Sequence, residues 1–275
     1  MRGRPRPHAA TRIVDRLKLH RRRLRLDGRE YTIVGLRLGM DARFSTNHFH
    51  GTWHVLSDWR GARLLGRLLW GLAYQRKPGT LVLIDRPFLD PNPFDSEPAD
   101  PIVLVPVRLT ALTTQAGRAL RRRLPLEETA DGTVRWHTPG LDTAVAAWRA
   151  QSDRPARPCL WSSAPSDTVG GRAGRVGGLM TIAGDPKALK DAALSVHTLG
   201  DHAHEGMDYT AIDWPNGEVQ VFRDYRQRVS TARVARQEVL AGLTAVPHPD
   251  DLRPLIWHRG TEVRRRRRAA SGPHS

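Results

Sequence analysis

The sequence predicts an α+β fold: a mixed, largely antiparallel sheet, several amphipathic helices and basic flexible termini. Three observations carry this. Asp27-Gly28 and Pro215-Asn216-Gly217 each separate two short runs of strand-forming residues, the signature of a tight hairpin. A helical apolar stripe, Leu64, Leu65, Leu68, Leu69, Leu72 and Ala73, follows a capping Asp58 and stops at Pro78-Gly79. The net charge of +16 is concentrated at the two ends: +9 in residues 1–26 and +5 in 259–275, leaving +2 between them.

In chain order, 1–8 read as disordered. Ala9–Arg23 reads as a basic amphipathic helix with Ile13, Leu17, His20 and Leu24 near one face. A hairpin joins Leu24–Leu26 to Glu30–Leu38. Phe44–Leu56 is a strand or loop containing three histidines, and the Asp58 helix runs to about Arg76. Thr80–Asp85 is a short apolar strand of the kind buried on both faces. Arg86–Pro101 is a Pro- and Asp-rich loop. Ile102–Leu109 is a strand whose internal Pro106 argues for an edge or a bulge.

Leu112–Arg123 is a short helix, 126–137 a hairpin about Asp131-Gly132, and Leu141–Ala150 an Ala-rich helix. Gly178–Ala183 is a strand. Asp185 with Pro186 starts a helix that ends near Val196. The second hairpin pairs Tyr209–Asp213 with Glu218–Phe222, and a helix follows from about Asp224 to Leu243. After Pro247 the chain loosens. No internal repeat is evident. The expected organisation is a basic extension (1–26), an α+β region (27–151), a Gly/Pro/Arg-rich linker (152–178), a second α+β region (179–258) within the same domain or beside it, and an Arg-rich tail (259–275).

With 275 residues, 39% hydrophobic and 26% charged, the chain is long enough and apolar enough to build its own core. Collagen-like, coiled-coil, disulfide-scaffold and wholly disordered classes are excluded. No apolar run approaches the ~18–20 residues of a membrane span. The single Cys159 has no partner for an internal disulfide, which fits a reducing compartment. The N-terminal region lacks the apolar core of a signal peptide. A cytoplasmic, bacterial protein is expected. Only four of the 44 basic residues are lysine, a bias that a GC-rich coding sequence explains, so the clustering of charge carries more weight than the arginine count.

Four constellations bear on chemistry. His48, His50 and His54 in one stretch, with His202, His204 and Asp208 in another, are the candidate ligands of a divalent metal, because neutral imidazole is the commonest protein ligand. In a strand His48 and His50 share a face. Asp85, Asp90, Asp95, Glu97 and Asp100 offer oxygen ligands suited to Mg²⁺, but no P-loop accompanies them. Gly170–Gly178 is glycine-rich but lacks the strand-then-helix context of a dinucleotide site, and reads as a flexible loop. Val229–Arg236 has the small residues and arginines of a DNA-reading helix, but its apolar positions more simply face a core.

Arg21, Arg22 and Arg23, with Arg264, Arg265, Arg266, Arg267 and Arg268, are the candidate contacts to nucleic acid or another polyanion. The expected function is a nucleic-acid-associated accessory protein whose basic ends add nonspecific affinity. A metal-dependent hydrolase using the two His-rich stretches and a non-catalytic partner-binding scaffold are the alternatives. No residue is assigned a catalytic role, and oligomeric state is left open.

Overall fold

Asp58 acts as the expected cap. Its carboxylate accepts from the backbone N–H of Arg60 and Gly61 at 3.0 Å each and starts the first helix. The computed structural model describes residues 16–126, 130–152, 171–201 and 206–270. The elements are β1 (Arg16–Leu26), β2 (Arg29–Gly35), β3 (Phe44–Phe49), β4 (Thr52–Ser57), α1 (Trp59–Ala73), β5 (Thr80–Ile84), β6 (Ile102–Pro106), α2 (Thr114–Arg122), β7 (Gly132–His137) and α3 (Leu141–Ser152). They continue with β8 (Arg172–Val176), β9 (Leu179–Gly184), α4 (Pro186–His197), β10 (Met207–Asp213), β11 (Gly217–Phe222), α5 (Tyr225–Ala241) and α6 (Pro249–Ala270).

The fold is α+β with two mixed, mostly antiparallel sheets. Sheet A has seven strands in the order β7-β1-β2-β5-β6-β9-β8, and sheet B four in the order β10-β11-β4-β3. Six of the seven strands of sheet A are arranged symmetrically about a central pair, with β7 added outside β1. On each side of the antiparallel β5–β6 pair stands a parallel neighbour that is one arm of a hairpin, β2 with β1 and β9 with β8. The topology therefore repeats where the residues do not.

One face of sheet A (Val34, Val82, Ile84, Leu104, Ile182) packs with α1, α4 and the inward residues Val55, Val219 and Val221 of sheet B into the main core. The opposite face (Ile33, Leu81, Leu83, Val103, Val105) is covered by α2 through Ala116 and Leu120. On the far side of sheet B, Leu56 and Phe222 meet Tyr225 and Val229 of α5, and α6 packs on α5 through Leu252, Ile256 and Val263. α1 and α4 approach closely at Gly66, where an added Cβ would stand 2.7 Å from the His197 Cβ and 2.9 Å from the Ala193 carbonyl oxygen.

Several expectations are corrected. Residues 16–23 are not helical. Leu17 and Leu19 face the α1 side of sheet A, whereas Leu24 and Leu26 face the α2 side, so the apolar positions switch face midway along the strand and mimic helical spacing. Residues 9–15 lie outside the described set. The described residues of the 126–137 segment form no hairpin of their own: β7 pairs with β1, and the Asp131 carboxylate accepts from the Arg23 N–H at 2.5 Å, while 127–129 lie outside the described set.

β6 is a central strand that Pro106 ends, rather than an edge strand. Arg172–Val176, expected within a flexible loop, is the edge strand β8, turned onto β9 through Gly177 and Gly178 at positive φ. The chain does not loosen after Pro247. α6 runs to Ala270 across the internal Pro254, and its basic end belongs to a helix.

Candidate functional site

Strand alternation sorts the basic residues of β1. On the face that α2 covers at Leu24 and Leu26, the uncovered half of the strand carries Lys18, His20 and Arg22. β7 extends the same face with the exposed Thr133, Arg135 and His137, because its buried Trp136 turns the other way. The antiparallel register sets Lys18 directly opposite Arg135 and His20 opposite Thr133.

Lys18 and Arg135 are exposed and make no ion pair among the described residues. Burial, with Arg22 and Arg37 adding their charge, holds the His20 imidazole below its ordinary pKa. Arg22 lies near Asp85, whose carboxyl pKa is raised by burial. The exposed Arg118, Arg122 and Arg123 at α2 add charge without a carboxylate partner among the described residues, while Arg121 reaches Asp100 at 3.9 Å.

The two predicted polyanion clusters are thus divided. Arg22 stands on the basic face, while Arg21 and Arg23 alternate to the other side. On α6, Arg266 pairs with Glu238 at 2.8 Å, and Arg267 hydrogen-bonds the hydroxyls of Thr231 and Ser230. Arg264 donates to the Thr261 hydroxyl at 3.0 Å and has no ion pair among the described residues. Arg265 and Arg268, one helical turn apart, lie toward the end of the same helix.

The histidines separate as well. β3 ends at Phe49, and His50 occupies the following turn at φ 50, so His48 and His50 do not share a strand face. His48 stacks on Trp53 at 4.6 Å. Asp208 is occupied, accepting from the backbone N–H of Gly200 and Tyr209 at 2.9 Å each. His202 and His204 lie outside the described residues, as does Cys159. Among the described residues no three His, Cys, Asp or Glu side chains gather as a metal site.

The acidic loop is tied down by arginine: Asp90 to Arg233 at 2.9 Å, Asp95 and Glu97 to Arg253 at 3.3 and 3.0 Å, and Asp100 to Arg175 at 2.9 Å. Arg233 and Arg236 of α5 are held by this loop, with Val229 and Ala232 buried as core residues.

His54 is the histidine with a built environment. The register of sheet B aligns Asn47, His54 and Glu218 in one row and Ser45, Leu56, Gln220 and Tyr209 in the next. His54 Nε2 stands 3.6 Å from the Glu218 carboxylate, and Gln220 Nε2 donates to that carboxylate at 3.1 Å. Burial pushes the His54 imidazole below its ordinary pKa, with Glu218 pulling against it.

This row floors a cavity of about 360 Å³ between sheet B, the 92–95 loop, α5 and α6. Phe49 and Trp257, edge to face at 6.1 Å, form an aromatic lip. The Nδ1 of His54 and the Nδ2 of Asn92 are shut off from solvent without a hydrogen-bond partner among the described residues. The sequence signals His54 but not its partners, because Glu218, Asn92 and Trp257 come from three distant segments. The alternation of His54 with Val55 is the one available sign that the imidazole leaves the main core.

No helix among the described residues is long and apolar enough to cross a membrane. Comparison with family models, curated proteins and solved structures gives no match to this chain.

Proposed function

We propose that the protein is a nucleic-acid-associated accessory protein that meets the phosphate backbone with a folded basic surface on sheet A rather than with free tails. The observation that supports this most is the Lys18–Arg135 pair. Like charges directly opposite on neighbouring strands destabilise a sheet. Here both are exposed, and no carboxylate among the described residues relieves them. A phosphate lying over the pair supplies the missing counter-charge.

Arg22, Arg37 and the α2 arginines extend the positive field around the pair. Such a surface reads charge, not sequence, so affinity falls steeply with salt. The test is a fluorescence-anisotropy titration of a labelled duplex by the full chain between about 50 and 200 mM salt. Lys18→Glu/Arg135→Glu should flatten the plot of log affinity against log salt by about 2, near 0.9 for each phosphate that is no longer neutralised. An unchanged slope in a folded double variant would refute the assignment.

A further inference from the structure

Gly260 lies in the middle of α6, where glycine is a poor helix former. The usual reasons for it are absent. No positive φ is required, and a Cβ would meet nothing nearer than the Ala235 Cβ at 3.9 Å. The residue is buried, and the space it leaves is the cavity above the His54 row. The lining also includes His54 and Asn92 and the amide side chains of Asn47 and Gln220.

Around the mouth, Arg228 is held by Asp224 at 2.6 Å and Arg253 by Asp95, Glu97 and Asp250. Arg264 has no carboxylate partner among the described residues.

From this geometry we propose that the cavity is a binding site for a nucleotide, with the base in the pocket and the phosphate at Arg264. Three features select that class. Phe49 and Trp257 place two aromatic rings in the lining, against which a flat ring packs. The side chains of Asn47 and Gln220 on the wall carry amide groups that match the in-plane donors and acceptors of a base edge, which a plain aromatic acid lacks. One uncompensated guanidinium at the entrance suits one phosphate. The volume lies in the usual range for small-molecule sites. The site stands apart from the sheet A surface and does not depend on it.

Two sources share this chemistry: a free nucleotide and a nucleotide within a single strand. The full chain is titrated calorimetrically with the four nucleoside 5′-monophosphates and, separately, with a short mixed-sequence single-stranded oligonucleotide, in about 0.3 M salt to screen surface charge. Expected is one site per chain for at least one monophosphate, with Kd below about 1 mM. Gly260→Leu, which fills the cavity from the helix, should weaken binding at least tenfold. Gly260→Ala should retain it, and Arg264→Ala should weaken the phosphate form more than the nucleoside.

Oligonucleotide binding alone, abolished in Gly260→Leu, would support the site and assign the strand as source. Absence of monophosphate binding, together with oligonucleotide binding that is absent or insensitive to Gly260→Leu in a variant with an unchanged circular-dichroism spectrum, would overturn the proposal.

Discussion

His197 makes the stability of this protein depend on pH in a direction and amount that follow from its position. It ends α4 facing Gly66 of α1, is only 7% exposed, and neither ring nitrogen has a hydrogen-bond partner among the described residues. Burial, reinforced by Arg67, Arg63 and Arg149, lowers its pKa from 6.5 to about 4, with Asp201 opposing. The folded-state value lies below the unfolded one, so the unfolded chain binds the proton more readily. The contribution of His197 is therefore complete above the unfolded pKa and is lost as pH falls toward the folded one.

Linkage with these two values gives a loss of about 1.4 kcal/mol near pH 5.5 and about 2.5 kcal/mol near pH 4.5. The perturbation is His197→Leu, which keeps roughly the volume and removes the titrating ring. Urea unfolding of both proteins at a series of pH values gives the difference directly, because other acid-sensitive groups cancel. The gap between them should change by about 2.5 kcal/mol between pH 7.5 and 4.5, in favour of the variant at low pH. Parallel curves would refute the burial of a neutral imidazole at this position.

Other outcomes follow from the same packing. Gly66→Val should cost roughly 1–3 kcal/mol in urea unfolding, since its Cβ falls on α4 backbone that cannot move aside; a neutral result would mean that α1 and α4 are further apart. Gly260→Ala should raise stability by up to about 1 kcal/mol, because helix propensity improves and nothing clashes; destabilisation would show that the space is filled. Deleting residues 1–26 should abolish cooperative unfolding, because β1 bridges β2 and β7 and buries Leu19, Leu24 and Leu26; a well-folded fragment would show that β1 is dispensable.

Much of the fold is legible locally. Asp58, Thr113 and Asp185 each cap the helix that follows, with a side-chain oxygen accepting from its first turn. Asp27-Gly28 and Asn216-Gly217 turn the hairpins that the dipeptides announce. Where sequence and structure part at the two ends of the chain, the cause is the same: dense charge reads as solvation. A strand bearing six basic residues still folds when its four leucines are divided between two faces. The arginine run of α6 continues a helix anchored by Leu252, Ile256 and Val263. β7 departs from the expected local hairpin because its partner, β1, lies more than a hundred residues away.

The site is less legible than the fold. His54 stands among the sequence candidates, but its row with Asn47 and Glu218 depends on a parallel β4–β11 pairing that no local pattern encodes. The basic surface is visible in the sequence as charge, but not which arginines share a side, since that depends on the phase of β1.

The claim on which the rest depends is that the basic charge near the N-terminus is built into sheet A. Amide hydrogen exchange of the free full-length protein tests it. Expected is protection well above the unstructured rate for the amides of Arg16–Leu26 that enter the ladders, because the first half of β1 pairs with β7 and the second half with β2. Exchange of that segment at the rate of an unstructured chain, with β2 still protected, would contradict it and return the charge to a solvated tail.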